Sequence, residues 1–276
     1  MNSQTFRSAF FRAALTVLLT CGLAAPAMAD GPIVIKMATL APANSAWMKV
    51  FKAAASEIEE KSKGRVKIKI YGGGSRGDEK VVIDKMKSGQ LQGAAITSVG
   101  LAQIAPEVLV LQTPGLINNY KQLDYVREKL SDRFEKAFAK QGFKLVGWGD
   151  VGYTYLLSKT PVKTPDDLKN AKPWVWSSDP VMAELYKLAG AQATPLPVPE
   201  VLQNLTTGVI ESFYGSPLAA IALQWFTHAK YITNKKLAIG IGATVVTLKV
   251  WNQASAEEKV LIESINEEWH KILIKK

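Results

Sequence analysis

The segment GGGSRG at positions 72 to 77 satisfies two chemical spacings at once. Read as G-x-G-x-x-G between a strand and a helix, it matches a dinucleotide loop, whose glycines let backbone amides approach a pyrophosphate. That chemistry also needs an acidic residue near position 97 to hold a ribose, and the strand there reads AAITS. Read as G-x-S-x-G, the segment makes Ser75 the nucleophile of a serine esterase, with strand, sharp turn and helix in place. Two observations weigh against an enzyme. A nucleophile elbow ends a strand buried on both faces, whereas RVKIKIY alternates lysines with apolar residues. The general base would have to be His228 or His270, the only histidines, and QWFTHAKY and EEWHKIL place both in helical surroundings. With two histidines and one cysteine, Cys21, no metal site is expected. The pair Asp166-Asp167 belongs to a helix start rather than to acid–base work. No cofactor is implied.

The remaining signal is aromatic. In KPWVW, positions 172 to 176, Trp174 and Trp176 stand two apart and share one face of a strand. Trp47, Trp148, Tyr153, Tyr155, Tyr214 and Trp225 also fall at strand ends or turns rather than on helix stripes. Each can fill core. Several converging on a cleft make a pocket walled by rings, since one tryptophan buries about 150 to 250 Å².

The strands and helices that carry these residues begin after residue 29. Arg7 and Arg12, the apolar run from Ala13 to Leu23 and Ala27-Met28-Ala29 ahead of Asp30 form a charged region, a short apolar region and a small-residue cleavage site. Residues 1–29 are therefore expected to be a secretory signal peptide. Cys21 lies inside it. The threonine before that cysteine fits a lipoprotein box poorly, so the mature protein is expected to be soluble in the periplasm, without disulfides. Formal net charge is +10 over 276 residues; the lysines are scattered and read as a solvated surface. No aromatic-basic stripe points to nucleic acid.

From there the chain alternates strands and helices: IVIKMATL; a helix carrying Trp47, Val50, Phe51, Ala54 and Ile58 on one stripe; RVKIKIY; a short helix ending at Gly89; GAAITS; a helix with Leu123, Val126, Leu130, Phe134, Ala137 and Phe138; FKLVGW. After a change of composition come YTYLL and a helix capped at TPDD. KPWVW, helices over 180–189 and 200–207, and VIESFY follow. A helix over 217–226, a strand near 230, ATVVTLKV and a helix capped at Ser255 complete the chain. The pattern predicts an α/β fold in two lobes with a ligand cleft between them. The expected division is 30–150 with 240–276 as lobe I and 151–239 as lobe II.

The order of these landmarks resembles the solute-binding proteins of TRAP transporters, the dicarboxylate-binding family, from about Ile33 to Ile272. The carriers are IKMATLAPANSAW, YGGGSRGDEKVVIDKMKSGQLQGAAITS and, most specifically, PVKTPDDLKNAKPWVWSSDPVMAELYKLAGAQATPLPVPEVLQNLTTGVIESF. The resemblance implies a two-lobed periplasmic binding protein fold with hinge strands and an interlobe cleft. It also implies a small-molecule ligand, no catalysis and delivery to a membrane permease or another envelope transport component. GGGSRGDEK then resembles the family's turn after the second strand. Members usually continue past this point with further helices, one spanning both lobes, so the sequence ending at Lys276 is either that of a short member or lacks its end.

Members grip their ligand's carboxylate with an arginine after the DLKG-like segment, and often with a second before the TPDD-like turn. The matching positions here hold Trp174 and Tyr153, and neither stretch contains arginine. Neither an indole nor a phenol reproduces an arginine's two charge-assisted bonds. The expectation is therefore an apolar, amphipathic or lipid-like ligand, walled by Trp47, Tyr153, Trp174, Trp176 and Tyr214, with Tyr153, Tyr214, Ser98 and Ser216 donating a few hydrogen bonds. The alternative is a mono- or dicarboxylate held by a non-standard cation, with Lys172, Lys159 or Arg76 as candidates.

Overall fold

The structure, a computed structural model, describes residues 31–274; the signal-peptide reading and Cys21 lie outside the described residues. In chain order the first elements are β1 (Ile33–Thr39), α1 (Ala46–Lys61), β2 (Val66–Tyr71), α2 (Glu79–Lys87), β3 (Gly93–Thr97) and α3 (Ser98–Ala102). A 3-10 turn over Pro106–Gln112 leads into α4 (Tyr120–Lys140), β4 (Phe143–Ser158) and α5 (Pro165–Asn170). Next come β5 (Trp174–Trp176), α6 (Pro180–Leu188), β6 (Thr194–Leu196), α7 (Val198–Thr207), β7 (Ser212–Gly215) and α8 (Pro217–Ala222). A second 3-10 turn, Trp225–His228, precedes β8 (Tyr231–Ile232), β9 (Ala238–Thr247), α9 (Leu248–Trp251) and α10 (Ala256–Ile274).

Local chemistry sets most of these boundaries. Ser45 caps α1 by accepting from Met48 N, and Thr164 and Asp167 form a reciprocal capping box on α5. Ser255 and Glu258 do the same for α10, at 3.1 and 2.7 Å. The expected helix over 217–226 is interrupted because Gln224 adopts a left-handed φ of 63°, which ends one helix and starts a 3-10 turn.

The main sheet runs β2-β1-β3-β9-β4-β7, with β8 also on β4. β1, β2 and β3 are parallel, whereas β9 is antiparallel to β3 and β4 is antiparallel to β9. The parallel pair β5–β6 forms a second sheet, tied to β7 by a bridge between Pro173 and Ser212. β4 differs from expectation. FKLVGW and YTYLL belong to one strand of 16 residues, whose first part pairs with β9 and whose last four residues pair with β7. Bulges between Leu145 and Gly147 and between Asp150 and Gly152 bend it. β9 also starts earlier than ATVVTLKV suggests, at Ala238, and Leu248–Trp251 turns helical.

The core has three apolar clusters. One joins α2, α4 and one face of β9 through Ile83, Phe134, Phe138 and Val245. A second, on the opposite face, joins α1 and α10 through Ile58, Val246 and Ile265. The third gathers β5, β7, α6 and α7 around Trp174, Phe213, Tyr186 and Val201. β4 contributes Leu145 to the first, Val146 to the second and Leu156 and Leu157 to the third. The alternation of a strand's side chains across its two faces accounts for the first two.

Candidate functional site

A cavity of about 170 Å³ is walled by residues of the first and third clusters, among them Ile96, Ile241, Val99 and Trp174, and crossed by the middle of β4 and β9. That is room for on the order of ten water molecules. Six of the seven residues singled out in the sequence line it: Trp47, Ser98, Trp174, Trp176, Tyr214 and Ser216. Tyr153 does not. Its side chain leaves β4 toward α4, edge-on to Tyr120 at 5.2 Å and with Lys236 Nζ 3.5 Å from its ring centre.

The rings pack against one another before they offer a surface to a ligand. Trp174 is 1% exposed, stacked on Tyr214 at 4.9 Å and 20° and edge-on to Trp225 at 5.3 Å. Trp174 Nε1 donates to Leu196 O at 3.0 Å, and Trp176 Nε1 donates to Asp78 Oδ2 at 2.7 Å. Tyr214 does not have the free hydroxyl expected of it, since its OH donates to Asp179 Oδ2 (2.7 Å) and accepts from Trp176 N (3.2 Å). Asp179 also caps α6, accepting from Val181 N and Met182 N. The Ser98 hydroxyl donates to Gln112 Oε1. Ser216 Oγ accepts from Ala219 N at 3.1 Å and keeps its proton to donate.

Carboxylates in the wall are already matched. Glu79 accepts from Thr97 N and Gly100 N at 2.8 Å and from Thr97 Oγ1 at 2.9 Å; burial nonetheless pushes its pKa up to about 7. Burial likewise raises Asp179, against its N–H donors and Tyr214. Asp150 pairs with the buried guanidinium of Arg127, which sits behind it over the face of Trp148 at 4.7 Å. His270 reaches the wall from α10, and burial pushes its pKa down from 6.5 to about 4, so it is neutral at pH 7.

Among the described residues, no lysine or arginine lines the cavity. Lys172 and Lys159 both turn to Glu211, at 3.2 and 3.6 Å, and Arg76 lies over the ring of Tyr71 at 3.9 Å. Ser75 is exposed and outside the cavity. The histidines that an esterase would require bond elsewhere, His228 to Thr206 and His270 to Thr244. Gln112 and His270 are among the cavity residues that the sequence does not mark as ligand-binding. Gln112 ends a 3-10 turn whose letters PEVLVLQ carry no polar motif, and His270 reads as an ordinary helix position.

Among known proteins, the chain from residue 37 to 276 matches the family model DctP, described as bacterial extracellular solute-binding protein, family 7. A solute-binding protein of Chromohalobacter salexigens is 26% identical over 222 residues, which cover 80% of this chain and 66%, just under two thirds, of that one. A TRAP periplasmic solute-binding protein from Xanthobacter autotrophicus, solved with bound β-D-galacturonate, superposes with a TM-score of 0.81 at 23% identity, covering 87% of this chain and 81% of the other. Another, from Chromohalobacter salexigens with bound D-glucuronate, gives 0.80 at 25% identity, covering 86% and 79%. The chain belongs to the DctP family of bacterial extracellular solute-binding proteins, family 7, the TRAP-type binding proteins that its sequence resembles.

Proposed function

We propose that this protein captures a small organic acid in the cavity between two lobes and hands it to a membrane permease outside the cytoplasm. The observation that carries the reading is the D-glucuronate held by the Chromohalobacter structure, which shares this fold at 25% identity. The aromatic wall supports a ligand with an apolar or ring-shaped body beside its acid group. The family is one of receptors rather than enzymes, which removes the esterase reading of Ser75. The lobes would be 30–150 with 240–276 and 151–239; the bulge in β4 between Asp150 and Gly152 falls at that division and supports it as the hinge. Residues 1–29 would direct export to the periplasm.

Titration calorimetry of the purified protein against D-glucuronate, D-galacturonate, malate and short monocarboxylates tests the reading. Micromolar binding of at least one is expected, and no heat with any of them would reject an acid cargo. A second reading, an apolar or lipid-like cargo, is favoured by one specific observation: the wall carries aromatic rings and, among the described residues, no lysine or arginine. Mass spectrometry of co-purifying molecules separates the two.

A further inference from the structure

We infer that the ligand's carboxylate is received by uncharged donors, chief among them the side-chain amide of Gln112, and not by a cation. The inference rests on the organic-acid reading and says how such a ligand is held in a wall that lacks the family's arginine.

An ionised carboxylate taken out of water needs its oxygens filled by N–H or O–H groups. Arg127, the buried guanidinium nearest the wall, gives both of its terminal nitrogens to Asp150. The Nε1 groups of Trp174 and Trp176, the Tyr214 hydroxyl and the Thr154 hydroxyl are each committed to a protein acceptor. What remains uncommitted among the described side chains of the wall is a short set: Gln112 Nε2, the indole nitrogens of Trp47 and Trp225, and the hydroxyl protons of Ser216 and Thr39, whereas His270 turns Nε2 to Thr244 and buries Nδ1. Gln112 stands out in that set. Ser98 occupies its Oε1, which fixes the amide and leaves two N–H donors on Nε2 free. Two or three N–H bonds favour the ionised form of a carboxylate without a countercharge, so neutral donors can receive it. Asp150 balances Arg127, and Glu79 and Asp179 are held by neutral donors, so an entering anion finds no unbalanced positive charge there.

The test compares wild type with Gln112→Leu, Gln112→Glu and Gln112→Arg by calorimetry with D-glucuronate as probe, using D-galacturonate and malate if glucuronate gives no heat. Thermal melts confirm folding. Expected results are a loss of about ten- to a hundredfold for Leu, a larger loss for Glu, whose charge repels the ligand, and tighter binding for Arg. Should the Leu or Glu variant not fold, Gln112→Asn, which withdraws the amide by one methylene, reads the same contact. Acid binding by wild type that is unchanged in all folded variants overturns the inference and leaves the acid reading standing. Absence of binding of every acid to wild type overturns the acid reading, and this inference with it.

Discussion

Gly149 in β4 and His270 in α10 meet so closely that a methyl group on the glycine would overlap the imidazole Nδ1 and Cε1. Two residues earlier the same holds for Gly147 and the side-chain amide of Asn266. Positions i and i+2 share a strand face and positions i and i+4 share a helix face, so two bare strand positions receive two side chains of one helix. This is how α10 lies flat on β4 and brings His270 to the cavity wall.

Gly149→Ala is therefore expected to cost about 1–3 kcal/mol by overpacking. The double variant Gly149→Ala/His270→Ala should recover part of that loss, because the two changes share one contact. Urea denaturation measures both; additive losses would mean that the two residues do not compete for the same space.

The same burial predicts a pH response. His270 titrates at about 4 folded and 6.5 unfolded, so the unfolded chain binds more protons between those values. Stability from this residue is full above pH 6.5 and falls toward pH 4, by about 3 kcal/mol in all. Glu79 acts in the opposite sense: its pKa is raised from 4.5 to about 7, so its contribution is full below pH 4.5 and is lost as pH rises through 7. The difference between wild type and His270→Asn isolates the first effect, since Glu79 is common to both. A difference in unfolding free energy that stays flat from pH 4 to 6.5 would contradict the assignment.

The α/β order was legible because most strands here announce themselves by period or by β-branched runs, and most helices by a capping residue such as Ser45 or Thr164. What stayed hidden was the full extent of the two strands that build the cavity, the continuity of FKLVGW with YTYLL in β4 and the start of β9 at Ala238. Gly147, Gly149 and Gly152 interrupt the apolar alternation of β4, and Gly240 and Gly242 do the same in β9. Those glycines are present because backbone and side chains crowd them: a Cβ on Gly242 would stand 2.8 Å from Gly149 O. Tyr153 was placed in the site by its position relative to a family arginine. The bulge between Asp150 and Gly152 changes which face the following residues use, and Tyr153 packs toward Tyr120 instead. Trp174 and Trp176 share a face as a strand predicts, but a sequence does not say that Asp78 and Asp179 would claim the polar atoms around them.

Trp174, which the sequence resemblance matches to the family's gripping arginine, is 1% exposed and stacked on Tyr214 and Trp176. Restoring an arginine by Trp174→Arg should not restore a carboxylate grip. It buries a charge among Tyr214, Trp225 and Trp176 and removes a large ring from the core, so a loss of about 3–5 kcal/mol or more is expected. Trp174→Phe should lose less and keep ligand binding within a few fold. A stable Arg variant with gained affinity for malate would show that the wall is plastic and that the ring stack is not what holds β5 in place.

Asp78 stands at the N-cap of α2 but makes no side-chain cap bond there. Its Oδ2 instead accepts the Trp176 indole N–H, 98 positions away, and its Oδ1 has no hydrogen-bond partner among the described residues. Under the proposed division the bond joins the lobes directly beside the cavity. Removing the acceptor with Asp78→Ala strands a buried indole N–H and should cost about 1–3 kcal/mol. Asp78→Asn keeps an acceptor for the indole. Burial raises the Asp78 pKa, so its contribution is greatest at low pH and is lost as pH rises through the folded value. The Asn variant, which has no charge to bury, should at pH 8 melt at or above wild type while the Ala variant melts below it. Equal melting of wild type and Asp78→Ala would mean that this contact does not hold β5 against the loop before α2.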